Sequence, residues 1–147
     1  MTRVDFYILP DDDEARRQAY LCRLVDKAYR LGHRVWVHVP DAGRAAALDE
    51  RMWTFRQDSF LPHERLAEGD ADPACAVILS EGTEPDAGRE MLVNEHAEVP
   101  AFFSRFQRVA EVVNRDPESR RQGRERYAFY RDRGYELHHH EVDPDGR

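Results

Sequence analysis

Val4, Phe6 and Ile8 alternate with Arg3, Asp5 and Tyr7 at the start of the chain, the period-two pattern of a half-buried strand. Pro10 closes that run, and Asp11, Asp12, Asp13 and Glu14 follow it; acids there suit the positive end of a helix. From Glu14 to Leu31 the apolar positions Ala15, Ala19, Cys22, Val25, Ala28 and Tyr29 recur at spacings of three and four, and Gly32 supplies a C-terminal cap, which predicts one long amphipathic helix. A β-branched and aromatic run from His33 to Val39 predicts a second strand, and Pro40-Asp41 caps a second helix from Arg44 to Trp53.

The second half is less regular. Glu64 to Pro73 is polar and aperiodic and is expected to be a surface loop, followed by a strand at Ala76 to Leu79. After a loop from Ser80 to Arg89 comes a strand at Met91-Leu92-Val93, and Pro100 is expected to open a helix carrying Phe102, Phe103 and Phe106. Val109 to Val113 reads as a strand, Asp116 to Arg133 as the last long helix ended by Gly134, and Tyr135 to His139 as a final strand. Strands alternating with helices predict an α/β fold: a single three-layer domain with a largely parallel sheet and helices on both faces, Rossmann-like in outline. The domain is expected over residues 1–142, with residues 143–147 a mobile polar tail.

Composition narrows the function. The 147 residues are enough for one core, and no apolar stretch approaches the roughly 20 residues that cross a bilayer. The N-terminus runs straight into a strand pattern without a signal-peptide layout, so a cytoplasmic protein is expected. Cys22 and Cys75 form neither a CxxC pair nor a disulfide framework and are expected to be small buried apolar residues. The net charge of −7 argues against strong, non-specific binding to DNA. Yet residues 115–133 hold seven arginines against four acids, which points to a local site for an anionic partner.

Catalytic patterns are missing. A nucleotide-binding α/β domain holds phosphate in a glycine-rich turn after its first strand, whereas here that turn is Pro10-Asp11-Asp12-Asp13 and would repel it. Ser59, Ser80, Ser104 and Ser119 lack a nucleophile elbow, and Cys22 lies on the apolar face of a helix. His138, His139 and His140 have no site-like carboxylate or cysteine partner and read as a terminal polar tract. His33, His38, His63 and His96 are scattered and read as surface or hydrogen-bonded residues. No catalytic residue, metal or cofactor is expected.

Two segments rise above this background. Leu48 to Phe55 and Asp58 to His63 place Trp53, Phe55 and Phe60 around a helix end and the loop after it. Exposed aromatics there make good protein-protein anchors, although Trp53 and Phe55 serve equally well as core plugs. In the last helix Arg120, Arg124, Tyr127 and Arg131 are spaced four, three and four apart, so guanidinium groups flank an aromatic ring on one helical face. Such a face can clamp a carboxylate beside an apolar group, or it can be a solvated stripe paired with Glu125 and Asp132.

The blocks VDFYIL, LDERMWTF, DSFLPH, EVPAFFSRF and RERYAFYRDRGYEL together resemble the DNA polymerase III chi subunit family over nearly the whole chain. The sequence departs from better-known members in the loop around Glu64 to Asp72, in the tail, and in Ala128 after RERY. The resemblance implies a non-catalytic clamp-loader accessory subunit that bridges the psi subunit and the acidic C-terminal tail of single-stranded-DNA-binding protein, which ends in Pro-Phe and a free carboxylate. It places Arg124 and Tyr127 in the tail site, with Arg120 or Arg121 in support and Arg131 on the same stripe. Trp53, Phe60, Leu61 and Pro62 it places on the psi side. The alternative is a nucleotide- or nucleic-acid-binding α/β domain whose Arg-rich last helix contacts phosphate directly.

Overall fold

The computed structural model describes residues 2–55, 60–66, 74–85 and 88–144. Seven strands form one sheet in the order β3-β4-β2-β5-β6-β1-β7, and every neighbouring pair is parallel. They are β1 (Arg3–Ile8), β2 (Val35–His38), β3 (His63–Leu66), β4 (Val77–Ser80), β5 (Met91–Asn94), β6 (Arg108–Val113) and β7 (Glu136–Glu141). The helices are α1 (Glu14–Arg30), α2 (Ala42–Thr54) and α3 (Pro117–Asp132). The fold is therefore α/β, and its sheet is fully parallel.

The side-chain alternation of β1 sorts the core into two layers. Tyr7 and Leu9 join Leu21, Cys22 and Val25 of α1 and Leu48 and Met52 of α2 on one face. Val4 and Phe6 join Phe102, Phe103, Phe106 and Tyr130 on the other, which α3 covers. Central strands β2, β4 and β5 are buried along their whole length, as expected of strands covered on both faces. Asp13, Asp41 and Asp116 cap the three helices through backbone N–H groups. Gly32 and Gly134 follow α1 and α3 with φ of 87° and 78°, values that only glycine adopts without strain.

Several expectations are corrected. The polar stretch from Glu64 begins as edge strand β3, because His63 and Leu66 turn inward while Glu64 and Arg65 face solvent; residues 67–73 lie outside the described residues. The expected helix after Pro100 is only a 3-10 turn at Phe103–Arg105. All three phenylalanines pack onto the sheet, and Phe106 is already extended toward β6, so no length remains for an α-helix. Cys22 is buried, but Cys75 is half-buried and its Sγ donates to the Val77 carbonyl. The final strand expected at Tyr135 to His139 is present as β7, which runs on to Glu141, carries the triple-histidine segment and pairs in register with β1. Val142 is buried and hydrogen-bonds Ile8, Asp143 and Pro144 are exposed, and residues 145–147 lie outside the described residues.

His38 ends β2 buried, its ring stacked on His96 at 4.0 Å and edge-on to Phe102. Burial first, and the neighbouring His96 second, lower its pKa to about 4. Protons then bind the unfolded chain more readily than the folded one between about 4 and the ordinary imidazole value near 6.5, so stability falls as pH drops through that window. Urea unfolding of wild type and His38→Phe at pH 7.5 and 5 checks this: the variant is expected to lose less stability on acidification, and equal losses refute the assignment.

Candidate functional site

Because α3 must follow β6 and return to β7, it lies across β6 and β1 with its interior face fixed by a buried polar cluster. Glu111 of β6 is fully buried; Arg126 Nε donates to it at 2.8 Å, Tyr130 Oη at 2.7 Å and Asn94 Nδ2 at 3.0 Å. Burial raises the Glu111 carboxyl pKa against the opposing pull of these donors. With Arg126 and Tyr130 anchored inward, helical periodicity turns Arg120, Arg124 and Tyr127 toward β7.

Between α3 and β7 a groove of about 440 Å³ opens at the C-terminal ends of the strands. Phe6, Ile8 and Val113 floor it, and the Tyr127 ring stands edge-on to Phe6 at 5.3 Å. Gly123 brings the helix down onto the sheet: a Cβ there would lie 3.1 Å from Val113 Cγ1. Arg115, Arg120 and Arg124 line the rim, and β7 contributes His139 and Glu141 to the facing wall. Among the described residues, no carboxylate stands within ion-pair distance of any of these three arginines. An apolar floor beneath unpaired guanidinium groups suits a ligand that is both anionic and apolar.

Of the sequence-predicted stripe, Arg120, Arg124 and Tyr127 therefore meet in one groove. Arg121 points elsewhere and is paired with Glu118 and Glu125, exposed pairs of small energetic weight. Arg131 continues the stripe two helical turns past Arg124, does not line the groove, and is paired with Asp132. Arg115, His139 and Glu141 were missed: Arg115 sits in the turn between β6 and α3, off the helical stripe, and the wall of His139 and Glu141 comes from β7 lying beside β1, a pairing that no local pattern encodes.

The aromatic segment is split by burial. Trp53 is 52% exposed and Phe60 67%, with their rings 5.7 Å apart. The buried His63 ring supports Trp53 at 4.6 Å and is held by the Leu61 carbonyl and Asp49. Pro62 is half-buried. Leu61 is 1% exposed and packs with α1 and α2; this corrects its placing on a partner surface, since a core side chain offers nothing to dock against. Phe55 is half-buried against the same core, and Asp58 and Ser59 of the motif lie outside the described residues.

Near the turn after β1, the buried Arg17 guanidinium is engaged internally with Glu14, Glu95 and the Val112 carbonyl. Among the described residues no cluster of His, Cys, Asp and Glu is arranged to hold a metal ion, and no helix is long and apolar enough to cross a membrane.

The geometry is that of an α/β domain with a cationic, apolar-floored groove at one sheet edge and an aromatic patch at the other. The family model of the DNA polymerase III chi subunit, HolC, matches residues 1–138, and the chain belongs to that family. It is 42% identical over 142 residues to DNA polymerase III subunit chi of Pseudomonas aeruginosa, covering 97% of this chain and 98% of that protein. It is 27% identical over 141 residues to the subunit of the same name from Escherichia coli, covering 93% and 96%. Among solved structures, T4 UvsW superposes with a TM-score of 0.70 at 10% identity, over 96% of this chain and 41% of that one. The C-terminal domain of the DEAD-box protein Dbp5 gives 0.61 at 13% identity, over 97% and 93%. At those identities the likeness is one of fold alone.

Proposed function

We propose that this chi subunit is a non-catalytic adaptor of the clamp-loader complex: the α3 groove takes the C-terminal tail of single-stranded-DNA-binding protein, and the Trp53–Phe60 patch takes the psi subunit. The observation that carries this reading is the groove itself, with three arginines that have no carboxylate in ion-pair distance among the described residues, above a floor of Phe6, Ile8 and Val113. A tail ending in an apolar residue and a free carboxylate presents both complementary chemistries within one residue. Arg124 is assigned the terminal carboxylate, Tyr127 the apolar wall, and Arg120 and Arg115 the acidic residues upstream.

Bridging needs two partners bound at once. The groove lies on the β7 edge, and the patch lies where α2 leads into β3 at the opposite edge. Six inter-strand gaps at about 4.8 Å separate those edges by roughly 29 Å, so neither partner covers the other's surface. Titrating the protein with the tail peptide, with psi, and with both together tests the reading. A ternary complex is expected; mutually exclusive binding, or tighter binding of a bare oligonucleotide than of the tail, overturns it.

The patch carries its own prediction. Phe60 is the most exposed large apolar side chain among the described residues, so Phe60→Ala is expected to leave thermal stability nearly unchanged while costing about 2 kcal/mol of psi binding. A large drop in melting temperature with unchanged psi affinity would make Phe60 a core residue instead.

A further inference from the structure

On the other side of β7 lies a second cationic surface that the proposed function does not use. Arg16, Tyr20, Arg23 and Lys27 follow one another along α1 at spacings of four, three and four, and so form a ridge. It borders a hollow of about 280 Å³ lined by Leu9, Ala19, Tyr20, Arg16, Arg23, Asp143 and Pro144. Arg16 is paired with Asp11, while Arg23 and Lys27 are exposed with no carboxylate in ion-pair distance among the described residues. Tyr20 is half-buried and leans on Tyr7 at 5.9 Å.

From this arrangement we infer that the hollow between α1 and the end of β7 is a second docking site, for an acidic extended peptide segment that lays one apolar or proline side chain on Tyr20 and a carboxylate on Arg23. Residues past β7 already border this hollow. Past Val142, Asp143 and Pro144 pass along the rim, and the Arg16 guanidinium donates to the Pro144 carbonyl. Arg23 is left over to receive a carboxylate from outside. A peptide suits the site better than a nucleic-acid backbone. The hollow is closed by an apolar floor and carries Asp143 on its rim, so a continuous run of phosphates would meet repulsion that a spaced carboxylate avoids. Burial raises the Tyr20 hydroxyl pKa to about 12, leaving the ring neutral toward an anion at physiological pH.

The site is independent of the α3 groove, and its test is independent as well. An acetylated and amidated hexapeptide of Asp, Glu, Pro and Leu lacks the free carboxylate assigned to the groove. Titrated into the isotope-labelled full chain, it is expected to shift the amides of residues 16–23, Val142 and Asp143 saturably. Arg23→Glu, an exposed substitution, is expected to weaken these shifts at least fivefold with the rest of the amide spectrum retained, and Asp143→Asn to strengthen them. Shifts confined to α3 and β7, insensitivity to both substitutions, or stronger saturation of the same amides by oligothymidylate would overturn the inference. Loss of free-carboxylate tail binding at the groove would leave it standing.

Discussion

A tail peptide ending in Pro-Phe with a free carboxylate is expected to bind Arg124→Ala roughly tenfold to a hundredfold more weakly than wild type, the effect of removing a charge-assisted bond of about 1.5 to 3 kcal/mol. The three groove arginines lack internal carboxylate partners among the described residues, so the substitution breaks no ion pair within the fold and should leave the melting temperature almost unchanged. Tyr127→Ala should cost a comparable amount by removing the wall against Phe6. Arg121→Ala should cost little, since that guanidinium is tied to Glu118 and Glu125 away from the groove. Affinity should fall as salt rises. Fluorescence-polarisation titrations at two salt concentrations provide the check. Equal affinities for wild type, Arg124→Ala and Tyr127→Ala would leave α3 as a solvated face, whereas a strong effect of Arg121→Ala alone would shift the site to the neighbouring, solvent-facing side of the helix.

The groove was half legible in the sequence, for a physical reason. The spacing of Arg120, Arg124 and Tyr127 is a local property of one helix, and α3 obeys it. What faces that helix depends on which strand lies beside β1, and a parallel sheet settles this through crossovers spanning many residues. His139 therefore read as part of a polar tract, although β7 sets it opposite Phe6. The same distinction explains β3. Its pattern HERL has inward residues only at its ends, too short a period for alternation to register, and its strand identity comes from pairing with β4. The Phe102 to Phe106 segment misled in the opposite sense, because spacings of one and three fit a helix but equally fit a tight turn that drives three rings into one core. Leu61 and Phe60 are neighbours with opposite fates, and only the packing of α2 against the sheet separates core from surface there.

The largest stability effect is expected inside α3. Arg126→Ala would leave Glu111, fully buried in β6, with only the Tyr130 hydroxyl and the Asn94 amide as donors. Removing one partner of a buried ion pair typically costs about 3 to 5 kcal/mol, because the remaining charge has lost its compensation. The carboxyl can escape the penalty by taking up a proton. Burial already holds its folded pKa above the ordinary value, and loss of the Arg126 charge must raise it further. A group whose pKa is higher folded than unfolded binds more protons in the native state, so it favours folding at low pH, and that contribution is lost as pH rises through the folded value. The variant is therefore expected to be less stable at pH 8 than at pH 5.5, the reverse of the change that the buried His38 produces on its own. Adding Glu111→Gln to Arg126→Ala should recover part of the loss at pH 8 and flatten the pH dependence, since a neutral amide needs no counter-charge and still accepts from Tyr130. Urea unfolding of both variants at the two pH values is the measurement. A loss under about 1 kcal/mol, or one independent of pH, would mean that water reaches Glu111 and that the buried pair does not fix the pose of α3 above the groove.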